Sequence, residues 1–201
     1  MHPAEIEACI ESMIILCDSR EQPTEEFKKR CQAFGCDYER QHLDYGDYTY
    51  NFILPNGELA YKSNEAIKGA VVIERKMSLE ELSGNLCQEY DRFRREFDRA
   101  NENGSRVYLL VQEATWEKII NHRYQTQFNE KAYLHRLLGL CSRYGAIPIF
   151  MQKELSGRMI REILEKELRT RLENGDYDDQ RDKTECDNAG SNEELRNKDS
   201  E

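Results

Sequence analysis

The chain has 201 residues, of which 38% are apolar and 34% charged, and its formal net charge is −10. That length and composition suit a single soluble domain with a real core, and no run nears the roughly 18 apolar residues needed to span a bilayer. So negative a chain argues against DNA binding through an overall basic surface. The acid is segregated, however: Glu173 to Glu201 hold 11 acidic and 4 basic side chains, which leaves 28 acidic and 25 basic on the first 172 residues.

The start, Met1-His2-Pro3-Ala4-Glu5, has no basic stretch before an apolar one, so no secretory leader is expected. Seven cysteines occur, an odd number with no C-x-x-C pair. They read as reduced, mostly buried thiols in a cytoplasmic protein rather than as disulfides or a zinc site.

In chain order, residues 13–18 read as a short apolar strand ending at Asp18. Thr24 to Phe34 reads as a helix, with Phe27, Cys31 and Phe34 on one face and Gly35 just past its end. Alternation through Tyr38, Leu43, Tyr45 and Tyr48 predicts a strand over 36–50. Pro55-Asn56-Gly57 predicts a turn joining 48–54 to 58–62 as a hairpin. Residues 71–76 form an apolar strand that ends in Glu74-Arg75-Lys76.

Ser78 is placed to cap a helix through Leu86, with Glu80 and Glu81 at its positive end. A longer helix is expected over about 88–101, then a strand at 106–111 and helices at 116–122 and 131–144, the latter closed by Gly145. Residues 147–151 make a last strand. A helix over 156–172 carries Met159, Ile160, Ile163, Leu164 and Leu168 along one stripe. Strands interleaved with helices predict one α/β domain, residues 1–172, built around a mixed sheet. Residues 173–201, acidic and almost without apolar side chains, are expected to be a disordered tail.

The chemistry concentrates at the end of strand 71–76. Side chains alternate along a strand, so Glu74 and Lys76 share a face and Arg75 points to the other. A carboxylate and an ammonium side by side, joined by Asp47 from another strand, suit a divalent cation and a polarised water attacking a phosphodiester. Taken singly these motifs are weak. An E-R-K is commonly a solvated strand end and Gly46-Asp47 a turn. Asp18-Ser19 with Glu21 could be a helix N-cap and capping box. Their joint occurrence, in order and at strand ends, favours the site.

Together, Asp18-Ser19-Arg20-Glu21, Gly46-Asp47 and Glu74-Arg75-Lys76-x-x-x-Glu80 resemble the nuclease domain of the XPF-type structure-specific DNA endonucleases. The resemblance runs over roughly 12–172, with Glu80 standing where the family pattern has Asp. It implies a restriction-endonuclease-like sandwich, a central mixed β-sheet flanked by helices. It also implies a Mg²⁺- or Mn²⁺-dependent endodeoxyribonuclease acting on branched or flap DNA in repair or recombination.

Asp47 and Glu74 are the expected metal ligands, with Glu21 and Asp18 as further carboxylates. Such an acidic cluster would repel itself without a cation and be stabilised by one. Lys76 is expected to orient or deprotonate the attacking water, or to stabilise charge on the phosphate. Glu80 is expected to position Lys76 or that water. Arg20 and Arg75 are candidate phosphate contacts, although Arg75 could instead pair with a structural carboxylate.

On helix 88–101, Arg92, Arg95 and Arg99 repeat at helical spacing opposite Tyr90, Phe93 and Phe97. They form either a DNA-backbone track or a solvated face balanced by Asp91, Glu96 and Asp98. Trp116, Tyr124 and Phe128 read as core. No helix-hairpin-helix or helicase motif is found, which fits a stand-alone nuclease domain of the small bacterial or phage kind, cytoplasmic and nucleoid-associated, with a homodimer expected from the family. Two other functions remain open: a non-catalytic DNA-binding scaffold partner, against which the intact Asp47, Glu74 and Lys76 argue, and a nuclease of other specificity on the same fold.

Overall fold

The computed structural model describes residues 1–62 and 69–179. Six strands form one mixed sheet: β1 (Ile14–Asp18), β2 (Tyr38–Gln41), β3 (Tyr48–Asn51), β4 (Val71–Lys76), β5 (Arg106–Gln112) and β6 (Ile147–Met151). Their order across the sheet is β2-β1-β3-β4-β5-β6. β1 runs parallel to β2 and antiparallel to β3. β4 is antiparallel to β3 and parallel to β5, which is parallel to β6. Parallel neighbours need crossovers, and helices supply them.

Two helical layers cover the sheet. On one face α1 (Pro3–Glu11), α2 (Glu25–Gln32) and α7 (Ser156–Asn174) enclose Ile15, Cys17, Tyr48, Ile73 and Leu110. On the other, α3 (Leu79–Cys87), α4 (Tyr90–Glu102), α5 (Trp116–Ile120) and α6 (Glu130–Tyr144) enclose Val72, Leu109 and Val111. All six residues of β4 are buried, because both of its faces are covered. This is the α/β sandwich around a mixed sheet that the alternation of elements predicts.

Local signals place the helices. Thr24, Ser78 and Asn129 accept backbone N–H bonds as N-caps of α2, α3 and α6, and Gly145 closes α6 in the left-handed region. α1 has no counterpart among the expected elements. Its signature is short: Pro3 at the first helical position, and a reciprocal cap between His2 and Glu5. Glu7 then binds Arg169 of α7 through two bonds, at 2.6 and 3.0 Å.

Three expectations are corrected. The single strand over 36–50 is two strands, because β2 and β3 pair with opposite sides of β1 and residues 42–47 carry the chain across. The hairpin after Asn51 turns at Gly57 and is held by the Leu54 and Ala60 N–H groups on the Glu58 and Phe52 carbonyls, at 2.8 and 2.9 Å. It makes only the bridge Ile53–Leu59 in place of paired strands, and Asn51 turns its side-chain amide to Tyr61. The proposed tail begins too early. α7 runs to Asn174, and the buried Tyr177 bonds the hydroxyls of Tyr50 and Tyr61 at 3.0 and 2.8 Å. The rest of that tail, residues 180–201, lies outside the described residues.

Candidate active site

Asp47 sits just before β3 and is tied to both neighbouring strands. Its N–H donates to Ile73 of β4 and its carbonyl accepts from Asp18 of β1, both at 2.8 Å. Gly46 makes this approach possible: its φ is +73°, and a Cβ there would lie 2.9 Å from the Cβ of Val72. The Asp47 side chain then reaches β4, where Oδ2 accepts the Arg75 N–H at 2.7 Å.

Glu74 and Lys76 occupy the same face of β4, as alternation requires, and Lys76 Nζ donates to Glu74 Oε1 at 2.7 Å. The Phe93 ring lies beneath the ammonium at 4.9 Å. A second carboxylate, Glu81 Oε1, stands 3.9 Å from Nζ.

The charges explain one another. Burial, followed by the Glu74 and Glu21 carboxylates, pushes the Asp47 carboxyl well above its ordinary range. Burial also raises Glu74, against the opposing pull of Lys76. Burial disfavours the Lys76 ammonium, but Glu74 and Asp47 outweigh it and hold its pKa above normal. In the metal-free site these carboxylates favour the ammonium form of Lys76, which suits it to orient a nucleophile or stabilise anionic charge.

The donor set fits a hard cation. Asp47 and Glu74 each have one oxygen fixed by a protein donor, while Asp47 Oδ1 and Glu74 Oε2 have no partner among the described residues. Two such carboxylates suit a Mg²⁺-like ion that completes its shell with water and phosphate oxygens. Among the described residues no group of three or more His, Cys, Asp or Glu is arranged around an ion.

The ERCC4 domain family model matches residues 17–160, a span that contains all of these side chains. The chain belongs to the ERCC4 domain family. Among solved structures, XPF from Aeropyrum pernix is similar at a TM-score of 0.53 and 18% identity, over 84% of this chain and 69% of that one. XPF from Aeropyrum pernix in complex with DNA matches at 0.54 and 18%, over 79% and 66%. At that identity the likeness establishes the fold, the restriction-endonuclease-like sandwich. No curated protein sequence matches the chain.

Several side chains of this ERCC4 domain hold other positions than the sequence suggests. Glu21 is not free to ligate a metal. Its oxygens take two bonds from Arg75, at 2.9 and 3.1 Å, and one each from Arg30 and the Tyr48 hydroxyl. Burial opposes the Glu21 charge, yet Arg75 above all holds its pKa below normal. Arg75 is accordingly a buried ion-pair partner of Glu21, the structural alternative to a phosphate contact, and its carboxylate comes from a turn rather than a helix. Arg30, unflagged by any motif, is the missed member of this network. A basic residue inside an otherwise apolar stripe of α2 is the signal that points to it.

Asp18 lies on the Glu74 face of the sheet but accepts from Arg20 N–H and Nε at 3.1 and 2.5 Å, in a turn and not a helix cap. Arg20 also donates to the Leu43 carbonyl, bridging β1 to the segment before β3, while its side chain stays 55% exposed. The predicted four-carboxylate cluster thus reduces to Asp47 and Glu74.

Glu80 points away from Lys76 and accepts the Gln125 N–H at 3.0 Å. The position beside Lys76 belongs to Glu81, because Ser78 caps α3 and sets Glu81 at the third helical residue, where it also accepts the Met77 N–H. On α4, Arg92 pairs with Glu89 and Glu96, and Arg99 bonds the Asp44 carbonyl. Arg95 is exposed without a partner among the described residues. Glu96, the expected counter-ion of Arg92, also lines a small cleft with Gly46 and Glu74. Tyr124 is buried, Phe128 is half-buried, and Trp116 is 38% exposed against the edge of Phe150.

Proposed function

We propose that this ERCC4 domain is a metal-dependent endonuclease that hydrolyses phosphodiester bonds of branched or flap DNA in repair or recombination. The supporting observation is the half-buried Asp47 and the buried Glu74 carboxylates, each with one oxygen unpartnered among the described residues, beside the Lys76 ammonium. Asp47 and Glu74 would hold a Mg²⁺ or Mn²⁺ ion, with no softer donor competing. The chemistry such an ion would supply there is polarisation of the phosphate and a lowered pKa for an attacking water. Glu74 also fixes the Lys76 ammonium, which orients the nucleophile and stabilises negative charge gathering on the phosphate. Glu81 holds the start of α3 against that ammonium.

The DNA in complex with the Aeropyrum XPF supports the choice of nucleic acid. The resemblance of this chain's motifs to those of the XPF-type structure-specific endonucleases is the ground for choosing a branched substrate over an arbitrary duplex. The test is incubation of the purified chain with labelled duplex, flap, fork and single-stranded DNA in Mg²⁺, Mn²⁺ or EDTA. Cleavage of flap or fork in metal alone is expected. Undiminished cleavage in EDTA would overturn the mechanism, and equal cutting of plain duplex would overturn the substrate.

A further inference from the structure

A second concave site lies at the carboxyl ends of the strands, on the sheet face opposite Glu74 and Lys76. Lys76 pairs with Val111 across β4 and β5, and Gln112 follows one residue beyond. By alternation Gln112 shares its face with Leu110, and so with Arg75. Gln112 is only 5% exposed, yet its side-chain amide has no partner among the described residues. Gln112 lines a cavity, and an amide open to a cavity is answered by what fills it, water or a ligand.

The cavity measures about 280 Å³. Lys29, Arg30 and Lys153 line it together with Glu26 and Glu154. Lys29 is exposed with no partner among the described residues, and Lys153 stands 3.5 Å from Glu26. The rim is fixed by the residue after Gln112. Glu113 takes φ +54°, uncommon for a side chain of its kind, and its carboxylate accepts the Lys153 N–H at 2.9 Å.

Such a lining does not suit a bare anion, because two carboxylates share it. It suits a ligand with both neutral donors and acceptors and a negative group. A primary amide offers one acceptor and two donors, the complement of a nucleobase edge. Bases taken out of a duplex are read in this way in pockets, while lysines hold the flanking phosphate. The volume, near the lower end of small-ligand sites, has room for one nucleotide.

We propose that this pocket receives one unpaired nucleotide of a DNA strand, its base against the Gln112 amide and its phosphate at Lys29 and Lys153. That the nucleotide belongs to DNA rests on the nuclease reading above. A strand passing over the carboxyl edge of β4 and β5 would meet the Asp47–Glu74 site on one face and this pocket on the other. The pocket would thereby select substrates with a single-stranded arm.

The test uses the full chain in EDTA, where no cleavage intervenes. Deoxyadenosine monophosphate and inorganic phosphate are titrated separately, observing the Gln112 side-chain amide by ¹⁵N NMR. Affinities for a duplex with a short overhang and for a blunt duplex are measured alongside. The mononucleotide should shift the Gln112 amide and phosphate alone should not. Gln112→Leu should weaken mononucleotide and overhang binding roughly tenfold, the scale of losing hydrogen bonds to a base edge, and leave blunt duplex unchanged. Lys29→Glu, on an exposed position that does not threaten folding, should weaken the same two ligands.

An unmoved Gln112 amide, or an equal shift with phosphate alone, would overturn the proposal. So would overhang binding indifferent to both substitutions. Free mononucleotide binding without overhang preference would assign the pocket to a small-molecule nucleotide and overturn its role on DNA. Because none of these readouts involves cleavage, their failure is separable from failure of the nuclease reading.

Discussion

The backbone N–H of Arg75 donates to Asp47 Oδ2 at 2.7 Å, and this one bond brings a carboxylate from the start of β3 onto the strand that carries Glu74. The Glu74 carboxylate thereby raises the Asp47 pKa beyond what burial alone does, while Glu96 and Glu81 add to burial at Glu74.

A carboxyl with a folded pKa above its ordinary value weakens the fold where it must ionise, and the loss is relieved as pH falls through the raised value to the ordinary one. Asp47→Asn keeps an acceptor for Arg75 and removes the charge. The metal-free variant should therefore melt higher than wild type at pH 7, with the gain shrinking as pH is lowered toward 4. Mg²⁺ should raise the melting temperature of wild type and leave the variant unmoved. Cleavage should fall by about a hundredfold or more. A variant that melts like wild type with or without Mg²⁺ would remove Asp47 from the metal site.

On the opposite face of β4, Glu21 neutralises two arginines. Removing its charge leaves Arg30 and Arg75 buried with each other, and breaking a buried pair in this way costs about 3–5 kcal/mol. Glu21→Gln should lower stability by that order in urea denaturation at pH 7. Arg75 holds the Glu21 pKa below its ordinary value. The stability it supplies is thus complete above about pH 4.3 and is lost as pH falls through the depressed value. The difference between variant and wild type should accordingly narrow on the acid side. A constant difference across that range would mean that packing, and not charge, carries the effect.

The contrast between these two acids shows what a linear pattern can carry. The strand ending in Glu74-Arg75-Lys76 is legible because burial makes it apolar and alternation fixes which side chains meet. Asp47 is legible because only glycine fits against Val72 before it. Glu21 misleads, since an acidic side chain in a motif looks the same whether a cation or an arginine answers its charge. Arg30 and Tyr48, which decide that question, come from α2 and β3 and meet Glu21 only in three dimensions. Glu80 fails for a local reason: α3 starts at Ser78, and the helical turn delivers the next residue, Glu81, to Lys76. The split of 36–50 is invisible to periodicity because both halves alternate, and only their partners on either side of β1 distinguish them.

Tyr177 closes the carboxyl end of α7 onto the core through Tyr50, Tyr61 and an edge contact with Phe52 at 5.0 Å. Tyr177→Phe loses two hydroxyl contacts and should cost about 1–3 kcal/mol, while Tyr177→Ala should cost about 3–5 kcal/mol. Truncation after Leu172 should destabilise at least as much as the alanine variant, whereas truncation after Asp179 should spare the fold. Burial raises the pKa of all three phenols. Their contribution is therefore complete below the ordinary phenol value of about 10 and is lost as pH rises past it. Thermal melts of the variants at pH 8 and pH 11 measure both effects. A Leu172 truncation as stable as wild type would show that Tyr177 contributes nothing.

The arginines of α4 differ in availability although their spacing treats them alike. Arg92 is answered by Glu89 and Glu96, Arg99 leans on the Asp44 carbonyl, and Arg95 stands exposed and unanswered among the described residues. If α4 follows the DNA backbone, a phosphate would engage Arg95 without displacing a carboxylate. Arg95→Ala should then weaken DNA binding uniformly across sequences and lower the slope of log affinity against log salt by about 1. Arg92→Ala should change that slope less, because the arginine must first leave two acids whose charge opposes the phosphate. Binding of flap and blunt DNA in EDTA over a salt series decides between the track and a solvated face. Identical slopes for wild type and Arg95→Ala would exclude α4 from the DNA path and confine binding to the carboxyl edge of the sheet.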